Sequence, residues 1–395
     1  MKKKHYKYVV LGISLFFIAV FSLNLDAFDH NNLDLLRIVK YHIDNNYVTK
    51  DPNAKKLEYG AIKGYLEALE DPYTRFMDPE STKDMQSRLK GSFYGIGIKI
   101  GIKGEFLTVI SPMIGTPAFK AGLKALDTII SIDGTSAKGM SLTDAVSRLR
   151  GRRETAVILG IKRKNIAKHF DISIVRNKID LNAVDKIEVF EDIVGYIRLT
   201  TFENKDAPAE TRAAIKALMK KGIKVLILDL RFNGGGLLSN AIDISNLFLD
   251  NGAIVHTVDR DGDKSTSYSN RLALFKDQPL VVIVNEGSAS SSEILAGALQ
   301  DNHRAIIVGK KTFGKASVQR ILDLPDGSSV LFTTAKYYTP NNTDISKKGI
   351  QVDIEINIPT KNLQEIQKSG YEYSYKKDYQ LQRAIEIAVG EITSD

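Results

Sequence analysis

Apolar and polar positions change rhythm along the chain. Residues 32–90 follow a helical period. LDLLRIVKYHI sets Leu33, Leu36, Ile38 and Tyr41 near helical spacing, and YGAIKGYLEALED repeats it before stopping at Asp71-Pro72. DPYTRFMDPE, bracketed by two prolines, reads as a turn-rich connector. From Gly91 the pattern turns to strands: GSFYGIGIKIG, EFLTVISP and TPAFKAGLKALDTIISIDG, then a short helix, SLTDAVSRLR, and the strands TAVILGIKR and KHFDISIVR. This predicts a compact β-rich module with two helices. Near Asn177 strands and helices begin to alternate. IVGYIRLTTF is a strand, APAETRAAIKALMKKG an amphipathic helix closed by Gly222, and IKVLILDL an almost wholly apolar strand, as expected when both faces are covered. NGGG breaks that strand; LLSNAIDISNLFL, PLVVIVN, SSSEILAGALQDN and RAIIVG continue the alternation, and DYQLQRAIEIAVGEI closes the chain as an amphipathic helix. The alternation predicts a mostly parallel sheet with helices on both faces. Ligands in such sheets gather where strands end and helices begin. Two such places carry chemistry here, Asn233 to Gly236 and Ser288 to Glu293.

The N-terminus breaks every one of these rhythms. Lys2, Lys3, Lys4 and Lys7 precede an unbroken apolar run, YVVLGISLFFIAVFSL, from Tyr8 to Leu23. That is the charged and apolar halves of an export signal, a little short for a spanning helix of about 20 residues. No A-x-A site follows in NLDAFDH. A buried core helix would not carry four lysines at one end and lack a polar face. Lysines stay inside, so the remainder is expected outside the cytoplasmic membrane.

Composition adds exclusions. The 395 residues allow two or three domains, and 43% hydrophobic with 26% charged content allows ordinary cores. The chain has no cysteine, which removes disulfides, thiolate metal sites and a cysteine nucleophile together. The net charge of +8 is spread along the chain apart from the four leading lysines, which is a solvated surface rather than a nucleic-acid footprint.

GKKTFGKASVQ, Gly309 to Gln319, fits most of a phosphate-cradling loop. Such a loop needs Ser or Thr after the lysine and a helix behind it. Here Ala316 follows Lys315, and Pro325-Asp326-Gly327 marks a hairpin turn between two β-branched, aromatic runs. Lys315 therefore enters a strand, and its purpose lies elsewhere.

GSASSSE joins a buried strand to a helix. Ser290 and Glu293 fit a capping box, the plain structural alternative. The same turn would also expose a serine at the sheet edge beside helix N–H groups able to hold an oxyanion. A serine nucleophile needs a base. Of six histidines only His256, at the end of AIVH, is a loose candidate. A lysine serves if burial lowers its pKa. Lys315 stands at a glycine-flanked turn, with Gln319 four residues on along the same strand face to orient a neutral amine. The residue types favour Ser–Lys over Ser–His. Gly234, Gly235 and Gly236 would let bare backbone approach a substrate carbonyl.

At these residues the chain resembles the C-terminal processing peptidases, or tail-specific proteases, of bacteria and chloroplasts. The resemblance runs from about Leu33 to the last helix. It rests on DPYTRFMDPE, FYGIGI, SPMIGTPAFKAGLKALDTIISIDG, VGYIRLTTF, LILDLRFNGGGLL, NEGSASSSEILAGALQD, VGKKTFGKASVQ, TTAKYYTPNN and KKGIQVDIEI, in that order. It implies Ser290 as nucleophile, Lys315 as base 25 residues on, and Gln319 beside it. It implies an oxyanion hole from Gly235 or Gly236 and the N–H of Ser291. It names the β-rich module a PDZ domain, in which Tyr94, Gly95, Ile96 and Gly97 hold a terminal carboxylate while the adjacent strand pairs with an extended peptide. The expected protein is an α+β and α/β multidomain chain. Residues 1–28 are an export signal or membrane anchor and 29–90 a helical region. Residues 91–176 form a sandwich-like PDZ domain, and 177–395 a ClpP/crotonase-like peptidase core with a C-terminal helical tail. The implied partners are proteins with exposed C-terminal tails, with no metal, nucleotide or other cofactor. Apolar faces on the first and last helices suggest a homodimer, and the expected location is the periplasm or cell envelope. Two rivals stay open: an inert PDZ adaptor or holdase, and a Ser–His esterase using His256. Three departures stand out. Asn233-Gly234-Gly235-Gly236 replaces a usual N-P-G-G, Ala316 a usual glycine, and Ala125-Leu126-Asp127 a usual P-G-D.

Overall fold

A computed structural model describes residues 33–357, apart from residues 114, 141, 165 and 167, together with residues 359 and 378–393. The expected export segment lies outside the described residues. No described helix is long and apolar enough to cross a membrane.

The chain divides into two compact units, residues 1–68 and 69–395. In the first, helix α1 (Asp34–Asn46) and helix α2 (Ala54–Glu67) form where the helical period placed them. Asn53 caps α2 by accepting from the Lys56 N–H. Neither helix buries a side chain, and Leu35, Leu36, Ile38 and Val39 of α1 stand exposed.

The second unit opens with β1 (Arg75–Met77), α3 (Pro79–Leu89) and β2 (Ser92–Gly95). Asp78 caps α3 and Pro79 follows at the first helical position, where its missing N–H costs nothing. An antiparallel sheet then forms from β3 (Ile98–Lys103), β4 (Phe106–Pro112), β5 (Thr128–Ile132), β6 (Thr135–Ser136), β7 (Ala156–Lys162) and β8 (Phe170–Val175). Its order is β3-β4-β5-β7-β8, with β6 on β5, so β3 is an edge. Helices α4 (Pro117–Lys120) and α5 (Leu142–Leu149) accompany it. Its core gathers Leu107, Val109, Ile129, Val157, Leu159 and Ile161. At the departed turn Leu126 adopts φ +67°, a left-handed conformation that suits glycine and costs a leucine about 1 kcal/mol. Asp127 beside it is buried and held by both Arg163 nitrogens that face it, at 2.6 and 2.7 Å.

After β9 (Asn177–Asp180), which pairs with β2, the core sheet begins. Strands β10 (Val184–Phe190), β11 (Val194–Leu199), β12 (Val225–Asp229), β15 (Leu280–Val284), β16 (Ile306–Gly309) and β19 (Ile354–Glu355) lie in that order. All neighbours are parallel except β10 and β11. The apolar strands sort their residues by pleat. Leu226, Leu228, Leu280, Val282 and Val284 pack under α6 (Ala207–Lys220), α7 (Leu238–Ser245) and α8 (Ser291–Asp301). Val225, Ile227, Val281 and Ile283 face the other way, onto Leu381, Ala384, Ile385 and Ala388 of the last helix, α9 (Tyr379–Thr393).

A second, antiparallel sheet stands beside this one. It runs β1-β18-β13-β14, where β13 is Ala253–Asp259, β14 Lys264–Tyr268 and β18 Ser329–Tyr338. Strand β17 (Ser317–Asp323) pairs with β18 through the Pro325-Asp326-Gly327 turn, on the side away from β1 and β13. The strand after Lys315 is thus real, and no helix stands behind that lysine.

Candidate active site

The serine turn is fixed from all sides but one. Asn285, just past β15, accepts from the N–H groups of Phe232 and Gly287. Ser288 donates to the Leu230 carbonyl at 2.8 Å, Ser292 to that of Asn233 at 2.8 Å, and Ser291 to those of Gly236 and Leu237. Three of the four serine hydroxyls therefore stitch the turn to the end of β12. Ser290 does not. It holds φ +54° and ψ −116°, a strained conformation for a side-chain-bearing residue, and its hydroxyl is not donated to a backbone carbonyl as the other three are. Glu293 supplies the reciprocal half of the capping box, accepting from the Ser290 N–H at 2.9 Å.

The glycine turn leans directly on this serine. Gly235 has φ +95°, and a methyl group there would lie 2.8 Å from both Cβ of Ser290 and N of Ser291. A methyl on Gly236 would sit 2.1 Å from the Phe202 carbonyl carbon. Both positions need glycine for closeness as well as for φ. The Gly235 N–H is committed to Asn233 Oδ1 at 3.0 Å, while those of Gly236 and Ser291 have no hydrogen-bond partner among the described residues.

Lys315 faces the same space from the second sheet. Its Nζ donates to Gln319 Oε1 at 3.0 Å and lies 4.5 Å from the centre of the Tyr73 ring. Gln319 in turn donates to the Tyr73 carbonyl at 2.6 Å, which fixes its oxygen toward the lysine. The Tyr73 loop is pinned by Asp71, which accepts from the hydroxyls of Thr74 and Thr333 and from the Tyr73 N–H. Burial and the neighbouring Arg75 charge push the Lys315 amine below the ordinary lysine range; Asp71 and Glu293 pull the other way. The amine's hydrogen bond goes to Gln319, and none joins it to Ser290.

Glu293 ties the two sides together. Four donors converge on its buried carboxylate: the Thr312 hydroxyl at 2.5 Å, the Gly314 N–H at 2.6 Å, and the N–H groups of Lys315 and Ser290 at 2.9 Å. Burial pushes its carboxyl up against the pull of these donors. Tyr337 adds a second tie, its hydroxyl donating to the carbonyls of Lys315 and Ser290. Burial first, and the Glu293 charge after it, hold this phenol well above its usual value, so it stays a donor.

All six core residues singled out in the sequence, Gly235, Gly236, Ser290, Ser291, Lys315 and Gln319, line one cavity of about 460 Å³. His256 does not line it. Its ring nitrogens are engaged by Thr266 Oγ1 at 2.7 Å and the Pro340 carbonyl at 3.0 Å, which is a structural role. The four candidate carboxylate-holding residues lie apart from the cavity and divide between two elements. Tyr94 and Gly95 end β2, paired with Lys178 and Asn177. Ile96 is buried in the module's core with its carbonyl accepting from Ala118, and Gly97, at φ +77°, has its carbonyl held by Met113 and Thr116. The loop leads straight into the edge strand β3. Among the described residues no group of metal-ligating side chains is present. Sequence reasoning missed Tyr73, Asp71, Tyr337 and the fourfold role of Glu293. DPYTRFMDPE was noticed only as a connector and family mark, although its paired proline and aromatic were a signal.

Comparison with known proteins gives this arrangement its class. Residues 193–356 match the model of peptidase family S41, residues 83–162 that of the PDZ domain, and residues 26–81 that of the activating protease CtpB N-terminal domain. The protein is a serine protease that carries a PDZ domain. More narrowly, the chain belongs to the carboxy-terminal processing proteases of family S41. It is 39% identical over 381 residues to a carboxy-terminal-processing protease of Bartonella bacilliformis, covering 89% of this chain and 87% of that one. It is 38% identical over 330 residues to the carboxy-terminal processing protease CtpA of Bacillus subtilis, covering 83% and 70%. Among solved structures, the photosystem II D1 C-terminal processing protease superposes with TM-score 0.54 at 34% identity, over 81% of this chain and 88% of that one.

Proposed function

We propose that this protease is exported, takes its substrates by their C-terminal tails, and cuts them with a Ser290–Lys315 dyad. One observation carries the reading. Lys315, its pKa lowered by burial, shares a cavity with the one serine of GSASSSE whose hydroxyl is not donated to backbone. In the working state Lys315 is neutral. One of its N–H bonds stays on Gln319, leaving the lone pair for Ser290. Lys315 takes the hydroxyl proton as Ser290 Oγ attacks the substrate carbonyl. The oxyanion settles on the N–H groups of Ser291 and the glycine turn, Gly236 and, once released from Asn233, Gly235. The protonated lysine returns its proton to the leaving amine, and water then releases the acyl group by the same route.

The remaining assignments follow this reading. Residues 1–28 serve as export signal or anchor and 29–90 as a helical region, with PDZ residues 91–176 ahead of the catalytic part, 177–395. The substrate's terminal carboxylate is held at Tyr94–Gly97 while its tail adds to the free edge of β3. The exposed apolar side chains of α1 support a homodimer, and the protein works in the periplasm or cell envelope.

The test is cleavage of an unstructured reporter with an apolar tail. Ser290→Ala and Lys315→Ala should each cut at least about 10³-fold slower while still binding the tail. Amidating the reporter's C-terminus should weaken both binding and cutting. A fully active Lys315→Ala protein would remove the dyad, and binding without cutting by the native protein would favour an adaptor.

A further inference from the structure

One cation of the catalytic cavity is left without a partner. Arg75 opens β1 and pairs in register with Leu331 of β18, which pairs in turn with Ile321 of β17. Residues directly opposite one another project from the same sheet face. Arg75, Leu331 and Ile321 thus form a row across three strands, and all three line the cavity that holds Ser290 and Lys315. The Arg75 guanidinium makes no hydrogen bond or ion pair among the described residues, whereas the other charges nearby are committed. Arg88 is ion-paired, 3.5 Å from Glu203 and 3.6 Å from Asp84, although its buried Nε makes no hydrogen bond among the described residues. Asp71 is taken by Thr74, Thr333 and the Tyr73 N–H, and Glu293 by its four donors. Among the charged side chains that line the cavity, Arg88 faces Glu203, and with Lys315 neutral in the working state Arg75 is the cation left over.

Arg75 is exposed, so in the free protein its guanidinium is hydrated. It stands at the end of an apolar wall formed by Leu331 and Ile321, with Met85 and Leu89 of α3 lining the same space. A substrate strand entering this cavity displaces water and leaves the guanidinium to be satisfied by the substrate. We propose that Arg75 is a specificity-determining residue, receiving an acidic side chain close to the scissile bond. This rests on the dyad reading above and adds the chemistry of the segment that is cut. Apolar character in the tail and acidity near the cut are then separate requirements, met by separate modules.

The experiment uses the full chain and peptide pairs sharing one apolar tail, with Glu or Gln at each position around the cut. At one position the native protein should favour Glu about tenfold in kcat/KM, the scale of one charge-assisted bond. High salt should shrink that ratio. Arg75→Gln should flatten it, Arg75→Lys should keep most of it, and Arg75→Glu should favour Lys instead. A flat ratio at every position in the native protein, or a ratio that survives Arg75→Gln, overturns the proposal. Should the variants fail to fold, the native ratio still decides. Ser290→Ala is run alongside. Cleavage that persists in it strikes the dyad reading, whereas a flat ratio in a protein that cuts only with Ser290 intact strikes Arg75 alone.

Discussion

The two walls of the cavity, one carrying the proposed nucleophile Ser290 and the other the proposed base Lys315, are built differently. The nucleophile wall joins the ends of β12 and β15 to the start of α8. Apart from Ser290, its serines and asparagines are buried, and they bond to backbone close by in space. The base wall is a half-buried lysine at the mouth of β17, an outer strand, steadied by Gln319 and by the Tyr73 loop. Strain at Ser290 persists because many contacts over-determine it. Lys315 has few ties, and a base that must lose and regain a proton gains from that freedom. On the proposed dyad the nucleophile is held by geometry and the base is tuned by surroundings, so substitutions on the two walls should fail in different ways.

Glu293 belongs to both walls, and after Ser290 and Lys315 themselves its loss should have the largest effect. In Glu293→Gln one carboxylate oxygen becomes an NH₂ group that meets two of the four donors head-on. Leaving buried donors unpaired should cost about 2–4 kcal/mol of stability, read by denaturant unfolding. Because Ser290 and Lys315 both hang from this carboxylate, kcat should fall roughly 10²-fold even in the folded fraction. Normal kcat with lowered stability would mean that the walls are aligned without it.

Next in size is Gln319→Ala, which touches the base wall alone. The amide holds Lys315 toward the serine and is itself held by Tyr73. Removing it should lower kcat about tenfold, with KM and the unfolding midpoint little changed. An unchanged kcat would show that the Tyr73 ring and the lysine backbone suffice to orient the amine.

The same contrast explains what was legible in the sequence. GSASSSE and NGGG are short segments whose turn chemistry is local, so Ser290 and the glycine turn could be singled out directly. Apolar strands such as VLILD and LVVIV announce a doubly covered sheet by composition alone. The second sheet was less visible, because β13 and β14 mix polar with apolar residues and β1 has three residues. The base wall needed contacts far apart in the chain. Gln319 meets Tyr73 across 246 residues, and Thr333 meets Asp71 across 262. No periodicity encodes such a meeting. The strained Leu126 was visible only as a missing glycine, until its φ gave the reason.

The smallest expected effect is the most specific to a tuned base. The Asp71 carboxylate, bound to three donors of its own, favours the charged form of Lys315 from the Tyr73 loop. Arg75 on β1 opposes it, Glu293 at the start of α8 supports it, and burial opposes it most strongly. Asp71→Asn removes the carboxylate's charge while keeping an oxygen for the Tyr73 loop. The Lys315 pKa should then fall further. With the free amine as the active form, as the proposed dyad requires, the acid limb of kcat/KM should move to lower pH. At a pH below the native midpoint the variant should be roughly two- to threefold faster, an effect the size of one partly screened charge. At high pH, where Lys315 is neutral in both proteins, the rates should converge. A loss of activity equal at every pH would mean that Asp71 only props the loop. The base wall would then be held by geometry too, and the contrast between the walls would disappear.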